Sequence, residues 1–193
     1  MQQRHNLRLA DFAYAGAYVY FVTFCTQNRL PLLGSVQILS VGADPCVRPS
    51  PPGQMVAQWV KKLEEKFQGV QLIASVVMPD HVHILLRGPE REENANLPQM
   101  IQWLKTQTTN AYIRGVKTNG FPPFTNRLWQ RGYYDHVIRN QRDFEEVGAY
   151  IQENPLRWAV KHGLMEAGDG RTHGSAPTIR SQHRAGTDSA ALA

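Results

Sequence analysis

The chain predicts an α+β fold: a mainly antiparallel sheet with helices packed on it. Three observations carry that expectation. An aromatic and β-branched run lies near the start, two further strand-like runs are joined by a proline turn, and the segments around them place apolar residues at helical spacing.

The first strand is expected over Ala17 to Thr26, AYVYFVTFCT, whose side chains suit a pleated, half-buried surface. Gln54 to Phe67 follows as an amphipathic helix, with Val56, Trp59, Val60, Leu63 and Phe67 on one side and Lys and Glu between them. Val70 to Val77 and His81 to Leu86 read as strands of a hairpin, because Pro79 in the Met78-Pro79-Asp80 junction cannot donate to a ladder. Leu97 to Ile113 carries Met100, Ile101, Leu104, Thr108, Ala111 and Tyr112 at helical intervals. Gly120-Phe-Pro-Pro-Phe breaks the pattern. A short strand is expected around His136-Val137-Ile138, then a helix capped by Asn140, with Phe144, Val147 and Ile151 on one side, ending before Pro155.

The 193 residues suit one domain, placed at 1–165. Two stretches fall outside its core pattern. Residues 40–53 and the tail 166–193 are rich in Gly, Pro, Ser and Ala and lack apolar periodicity, so a flexible insertion loop and a disordered tail are expected. They share a relation visible only through the genetic code. The DNA string GGG GCG GAC CCG TGC GTC CGC CCN encodes Gly42 to Pro49, and its reverse complement, read one base out of phase, encodes Gly170 to Pro177. The two octapeptides can therefore be the two strands of one DNA repeat, inserted in opposite orientations where insertions are tolerated.

The formal charge of +5 suits a polyanionic partner. The two cysteines, Cys25 and Cys46, are too few and too far apart for a disulfide framework or a cysteine metal site. No apolar stretch is long enough to span a bilayer, so the expectation is a soluble cytoplasmic protein without a membrane partner.

Chemistry concentrates at two places. His81 and His83 alternate on a strand, so both imidazoles project from one face, as a pair of metal ligands requires. Their flanks, Leu85 and Leu86, are aliphatic, so the histidines stand where a buried strand would otherwise carry apolar side chains. Imidazole ligands suit Mn, and Mg becomes suitable when phosphate oxygens complete the shell. On the last helix Tyr150 and Asn154 lie one turn apart and present a phenol and a carboxamide together. Spacing does not select this pair: Tyr112, Tyr133 and Tyr134 are equal candidates as nucleophiles, and Asn154 before Pro155 also reads as a helix stop. Arg127, Arg131, Arg139 and Arg142 surround Trp129, Tyr133 and Tyr134, a mixture suited to phosphate contacts and base stacking, and Lys105 extends the basic track.

The strings MPDHVHIL (78–85), WQRGYYDHVIRN (129–140) and YIQENP (150–155) closely resemble the REP-associated tyrosine transposases. These belong to the HUH superfamily and are related to the single-strand insertion-sequence transposases. The resemblance runs from about Tyr18 to Leu164. It implies a ferredoxin-like sheet, His81 and His83 as ligands of Mg or Mn, Tyr150 as the nucleophile, and Asn154 as the third ligand. It also implies single-stranded DNA hairpins of palindromic repeats as the partner, cut and rejoined through a 5′-phosphotyrosine, by a monomer or a homodimer. Two other readings remain in view: a domesticated hairpin-binding protein without cleavage, and a histidine-triad nucleotide hydrolase. The latter needs a third histidine where Leu85 stands.

Overall fold

The computed structural model describes residues 18–38, 45–90 and 96–165. Six strands and three helices follow in the order β1 (Val19–Cys25), β2 (Gly34–Gln37), β3 (Cys46–Pro49), α1 (Pro51–Lys66), β4 (Gln71–Val77), β5 (His81–Arg87), α2 (Leu97–Thr118), β6 (Tyr134–Val137) and α3 (Gln141–Lys161). Four strands form one sheet in the order β4-β5-β1-β6, with every neighbouring pair antiparallel. Setting β2 and β3 aside, this is a β-α-β-β-α-β chain whose first and third strands are central, the ferredoxin-like arrangement. Among the described residues no helix is long and apolar enough to cross a membrane.

The pleat sorts the two central strands onto two cores. Tyr20, Val22 and Phe24 of β1 and Val82, Ile84 and Leu86 of β5 bury against α1 and α2. Phe21 and Leu85 point the other way and bury against Val147 and Ile151 of α3. The sheet is thus covered on both faces, which explains why β5 is buried along nearly its whole length.

Several elements differ from the expectation. The stretch 40–53 is ordered over its second half. Cys46–Pro49 pair with Gly34–Gln37 in a two-stranded sheet, and α1 opens at Pro51 rather than at Gln54. Pro51 and Pro52 occupy the first helical turn, where backbone N–H groups have no partner within the helix and prolines cost nothing. The hairpin is held by Val36, 5 % exposed, packing with Met78 and Ala159, and by Ser50 N donating to Leu33 O at 3.0 Å. Gly53 is required at this junction, since a Cβ there would lie 1.9 Å from the Leu33 carbonyl oxygen. Residues 39–44 and the tail 166–193 lie outside the described residues.

The third helix does not end before Pro155 but continues to Lys161. A proline in a helix interior removes one backbone hydrogen bond, at a cost of about 3 kcal/mol. The offset lies beyond it: Ala159 is fully buried and Trp158 packs beside it in the cluster of Val36, Val47 and Met78. At the other end Asn140 caps α3 by accepting from Asp143 N at 2.9 Å, as its side-chain type suggests.

Ile84 is fully buried in the larger core. Ile84→Ala is expected to cost about 2–5 kcal/mol of unfolding free energy, read from the midpoint of a urea titration at unchanged slope.

Candidate functional site

β5 lies between β4 and β1, and its register sets His83 opposite Thr23 and His81 opposite Cys25. His81 and His83 face α3, with 7 % and 3 % exposure. Each ring has one nitrogen engaged from behind. His83 Nδ1 donates to Thr23 Oγ1 at 2.6 Å, and His81 Nδ1 donates to Asp80 Oδ1 at 2.5 Å. Asp80 comes from the turn between β4 and β5. Burial by itself raises its carboxyl, but the hydrogen bond and charge of His81 and the Arg29 guanidinium at 3.4 Å outweigh that effect and hold it below the ordinary value.

The other nitrogen of each ring turns toward α3 and meets one side chain. Asn154 Nδ2 donates to His83 Nε2 at 3.0 Å, and Asn154 Oδ1 lies 3.2 Å from His81 Nε2. Burial, then the charges of His81 and Arg29, push the pKa of His83 well below its ordinary value, so this ring is neutral and its Nε2 is a lone pair. At His81 the Nδ1–H is donated to Asp80, which leaves two acceptors facing each other, the ring Nε2 and the carboxamide oxygen. A second proton on the ring or a cation between the two satisfies that pair.

The donor set fits a divalent ion. Two imidazole nitrogens and a carboxamide oxygen are donors of the kind such an ion takes, and Asn154 Oδ1 lies 3.2 Å from His81 Nε2. The carboxylate–histidine contact behind His81 and the hydroxyl behind His83 fix the ring orientations and tautomers, as outer partners of metal ligands do. Among the described residues no group of three or more His, Cys, Asp or Glu could hold a metal ion.

The four tyrosines separate by face and contact. Tyr112 is fully buried against α2's core, its hydroxyl donates to Pro122 O at 2.9 Å, and burial pushes its pKa up to about 12. Tyr133 packs on the same side of the sheet. Tyr134 lies on the α3 side against Phe21, with its phenol raised by burial and then by Asp135, Asp143 and Tyr150. Tyr150 is half-buried and its ring stands edge-on to both His83, at 5.3 Å between centroids, and Phe21, at 5.8 Å. Arg157, one further turn along α3 from Asn154, sets its guanidinium 5.5 Å from the Tyr150 ring centroid and hydrogen-bonds Glu153 at 3.0 Å. Tyr150, Asn154 and Arg157 thus form one stripe of the helix. Asp80, Thr23 and Arg157 were not among the residues singled out from the sequence. Asp80 had a signal in its position beside His81, whereas Thr23 is found only through strand register.

The basic and aromatic residues divide into three groups. Trp129 is 5 % exposed, stacks edge-on to Phe24, donates its indole N–H to Thr108 Oγ1 at 2.9 Å, and also lines the groove described next. Lys105, Arg127, Arg131 and Tyr133 line a groove of about 620 Å³ between α2 and the segment 124–133, with no acidic residue in its walls. Lys105 Nζ also donates to the carbonyls of Gln130 and Gly132, both at 2.7 Å, and so shapes the turn that bears Arg131. This groove is built on the helix that covers the opposite face of the sheet from α3. Arg139 and Arg142 are exposed at the start of α3, where Arg142 pairs with Glu146 at 2.9 Å.

Fold and site together define a protein of the transposase class, and comparison with known proteins agrees. A family model described as "Transposase IS200 like" matches residues 50–154. The chain belongs to the IS200-like transposase family. It is 27 % identical over 171 residues to a Haemophilus influenzae protein of unassigned function, covering 82 % of this chain and 91 % of that one. It is 28 % identical over 96 residues to the REP-associated tyrosine transposase of Escherichia coli strain K12, a match covering 50 % of this chain and 48 % of the relative. The chain therefore spans about half the length of that relative. Among solved structures, a REP-associated tyrosine transposase bound to a REP hairpin shares the fold, with a TM-score of 0.56 and 20 % identity over 93 % of this chain and 99 % of the other.

Thr108→Val leaves the buried Trp129 N–H without its partner. The expected loss of stability is about 1–3 kcal/mol, measured by chemical denaturation, and a change indistinguishable from zero would show that the indole finds another acceptor.

Proposed function

We propose that the chain is a metal-dependent single-strand DNA endonuclease and strand transferase, which acts on palindromic repeat hairpins through a 5′-phosphotyrosine. The observation that carries this reading is that one carboxamide, Asn154, meets both His81 and His83 one helical turn from Tyr150, whose ring packs on His83. Membership of the IS200-like family and the hairpin-bound relative support the same assignment.

In this mechanism Tyr150 Oη attacks a backbone phosphorus. The Oη–P bond forms, the P–O3′ bond breaks, and the leaving oxygen takes a proton to become a 3′-hydroxyl. The phosphodiester energy stays in the protein–DNA bond, so the reverse attack by a 3′-hydroxyl rejoins a strand without ATP. A divalent ion held by His81 Nε2, His83 Nε2 and Asn154 Oδ1 would supply Lewis-acid and template chemistry at the phosphate oxygens. Thr23 and Asp80 keep both Nε2 atoms aimed at that point. Phe21 and His83 wall the Tyr150 ring, and the Arg157 guanidinium lies over it, so its orientation is held from three sides.

Arg127, Arg131 and Tyr133 in the groove, with Lys105 shaping it, offer phosphate contacts and a stacking surface for the hairpin. Arg139 and Arg142, exposed at the start of α3, offer further phosphate contacts away from that groove. A chromosomal substrate places this activity in the bacterial cytoplasm.

Tyr150→Phe is expected to abolish the denaturation-resistant adduct with a single-stranded hairpin oligonucleotide in Mg or Mn while leaving binding intact. An adduct formed by the Phe variant would refute the nucleophile. Asp80→Asn is expected to weaken Mn binding by about 10–100-fold, read by calorimetric titration, because His81 loses the carboxylate that sets its tautomer. Unchanged affinity would remove His81 from the ligand set.

A further inference from the structure

The two peptides related through the genetic code extend further than the octapeptides. Val41 to Pro51 reads VGADPCVRPSP, and Gly168 to Thr178 reads GDGRTHGSAPT. Aligned head to tail, Val41 faces Thr178, Cys46 faces His173 and Pro51 faces Gly168. In the reverse-complement register that relates them, third codon positions fall opposite third positions. First and second positions therefore face each other across all eleven codons. With CGN for arginine and TCN for serine, every one of the twenty-two is complementary: GT with AC, GG with CC, GC with GC, GA with TC, TG with CA and CG with CG. Each such position matches by chance one time in four, so independent origin of the two segments is excluded as an explanation.

The same string folds on itself. Within the codons for Gly42 to Pro49, GGGCGGAC is followed after six nucleotides by GTCCGCCC, its reverse complement. Three of those eight base pairs use no free third position: G of Gly42 with C of Pro49, C of Ala43 with G of Arg48, and A of Asp44 with T of Val47. All three are Watson–Crick pairs. With third positions as in that string, the codons allow a GC-rich palindrome able to form a hairpin with a loop CCGTGC, and the register of the two peptides sets it in opposite orientations.

From the hairpin and the proposed function together, we infer that this repeat is the protein's own DNA substrate, copied twice into its gene. The inference rests on the hairpin-processing reading and adds the sequence of the hairpin. The placement of the copies fits insertion at tolerant sites. In the described part of the first copy, Cys46–Pro49 form β3 of the separate two-stranded sheet, and Ser50 and Pro51 lead into α1. The second copy follows the end of α3. Neither interrupts the four-stranded sheet, and His81, His83, Tyr150 and Asn154 lie outside both.

Two measurements test the inference. The nucleotide sequence of the gene is expected to be complementary between codons 41–51 and 168–178 at the free third positions as well, and unrelated third positions would overturn it. The full chain is then titrated with labelled GGGCGGACCCGTGCGTCCGCCC, carrying the flanking nucleotides of the gene, and with a hairpin of equal loop and base composition but permuted stem pairs. Binding about tenfold tighter to the gene-derived hairpin is expected, and equal affinity would overturn the inference. A Tyr150-dependent adduct on some other repeat hairpin together with equal affinity here would sink the substrate assignment and leave the proposed function standing. Tight, selective binding with no adduct on any single strand would uphold the substrate and refute the cleavage mechanism.

Discussion

The bridge from Asn154 to the two histidine rings is the contact on which the arrangement of the site depends. It joins β5 to α3 across a sequence separation of 71 residues to His83 and 73 to His81, and it is buried. Removing the carboxamide would leave two imidazole nitrogens facing an apolar helix, with the desolvation cost of unpaired buried polar atoms. The rest of the fold supports that bridge. Phe21 and Leu85 pack against Val147 and Ile151 to hold α3 at the height where residue 154 reaches both rings. Thr23 and Asp80 hold the rings from behind.

A central strand that carries histidines at alternate positions has to place them in one of two interiors. Here the aliphatic positions, Val82, Ile84 and Leu86, take the larger core under α1 and α2, where packing alone decides. The polar positions take the side covered by a single helix. That division keeps the two imidazoles out of the larger core and gathers them with Asn154 in one small region. The groove lined by Lys105, Arg127 and Arg131 stands on the other layer, apart from the buried network.

Much of this was legible in the residues because local pattern and burial agree. The alternation in HVHILL, the helical stripes of α1 and α2 and the capping asparagine of α3 all describe what these segments do in the fold. The misreadings occur where a distant partner overrides the local signal. Pro155 marks a helix end by its own chemistry, yet burial of Trp158 and Ala159 carries the helix past it. The polar and proline-rich stretch before α1 looks loop-like, yet its backbone pairs with β2. Among the four tyrosines the residues alone favoured none and only the resemblance pointed to Tyr150; its contact with His83 is a matter of tertiary packing.

Pro155 also changes the mechanics of α3. Lacking an N–H, it leaves the Ile151 carbonyl without the usual partner four residues on, so the helical rod has one fewer cross-tie in the turn that bears Asn154. The rod is clamped on both sides of that turn, by Ile151 and Val147 before it and by Ala159 and Trp158 after it. Bending stiffness is therefore lowest between two anchors, at the span that carries the carboxamide. Small adjustments of the Asn154 position can be absorbed there by the backbone, without dislodging either anchored end from the sheet or from the β2–β3 hairpin.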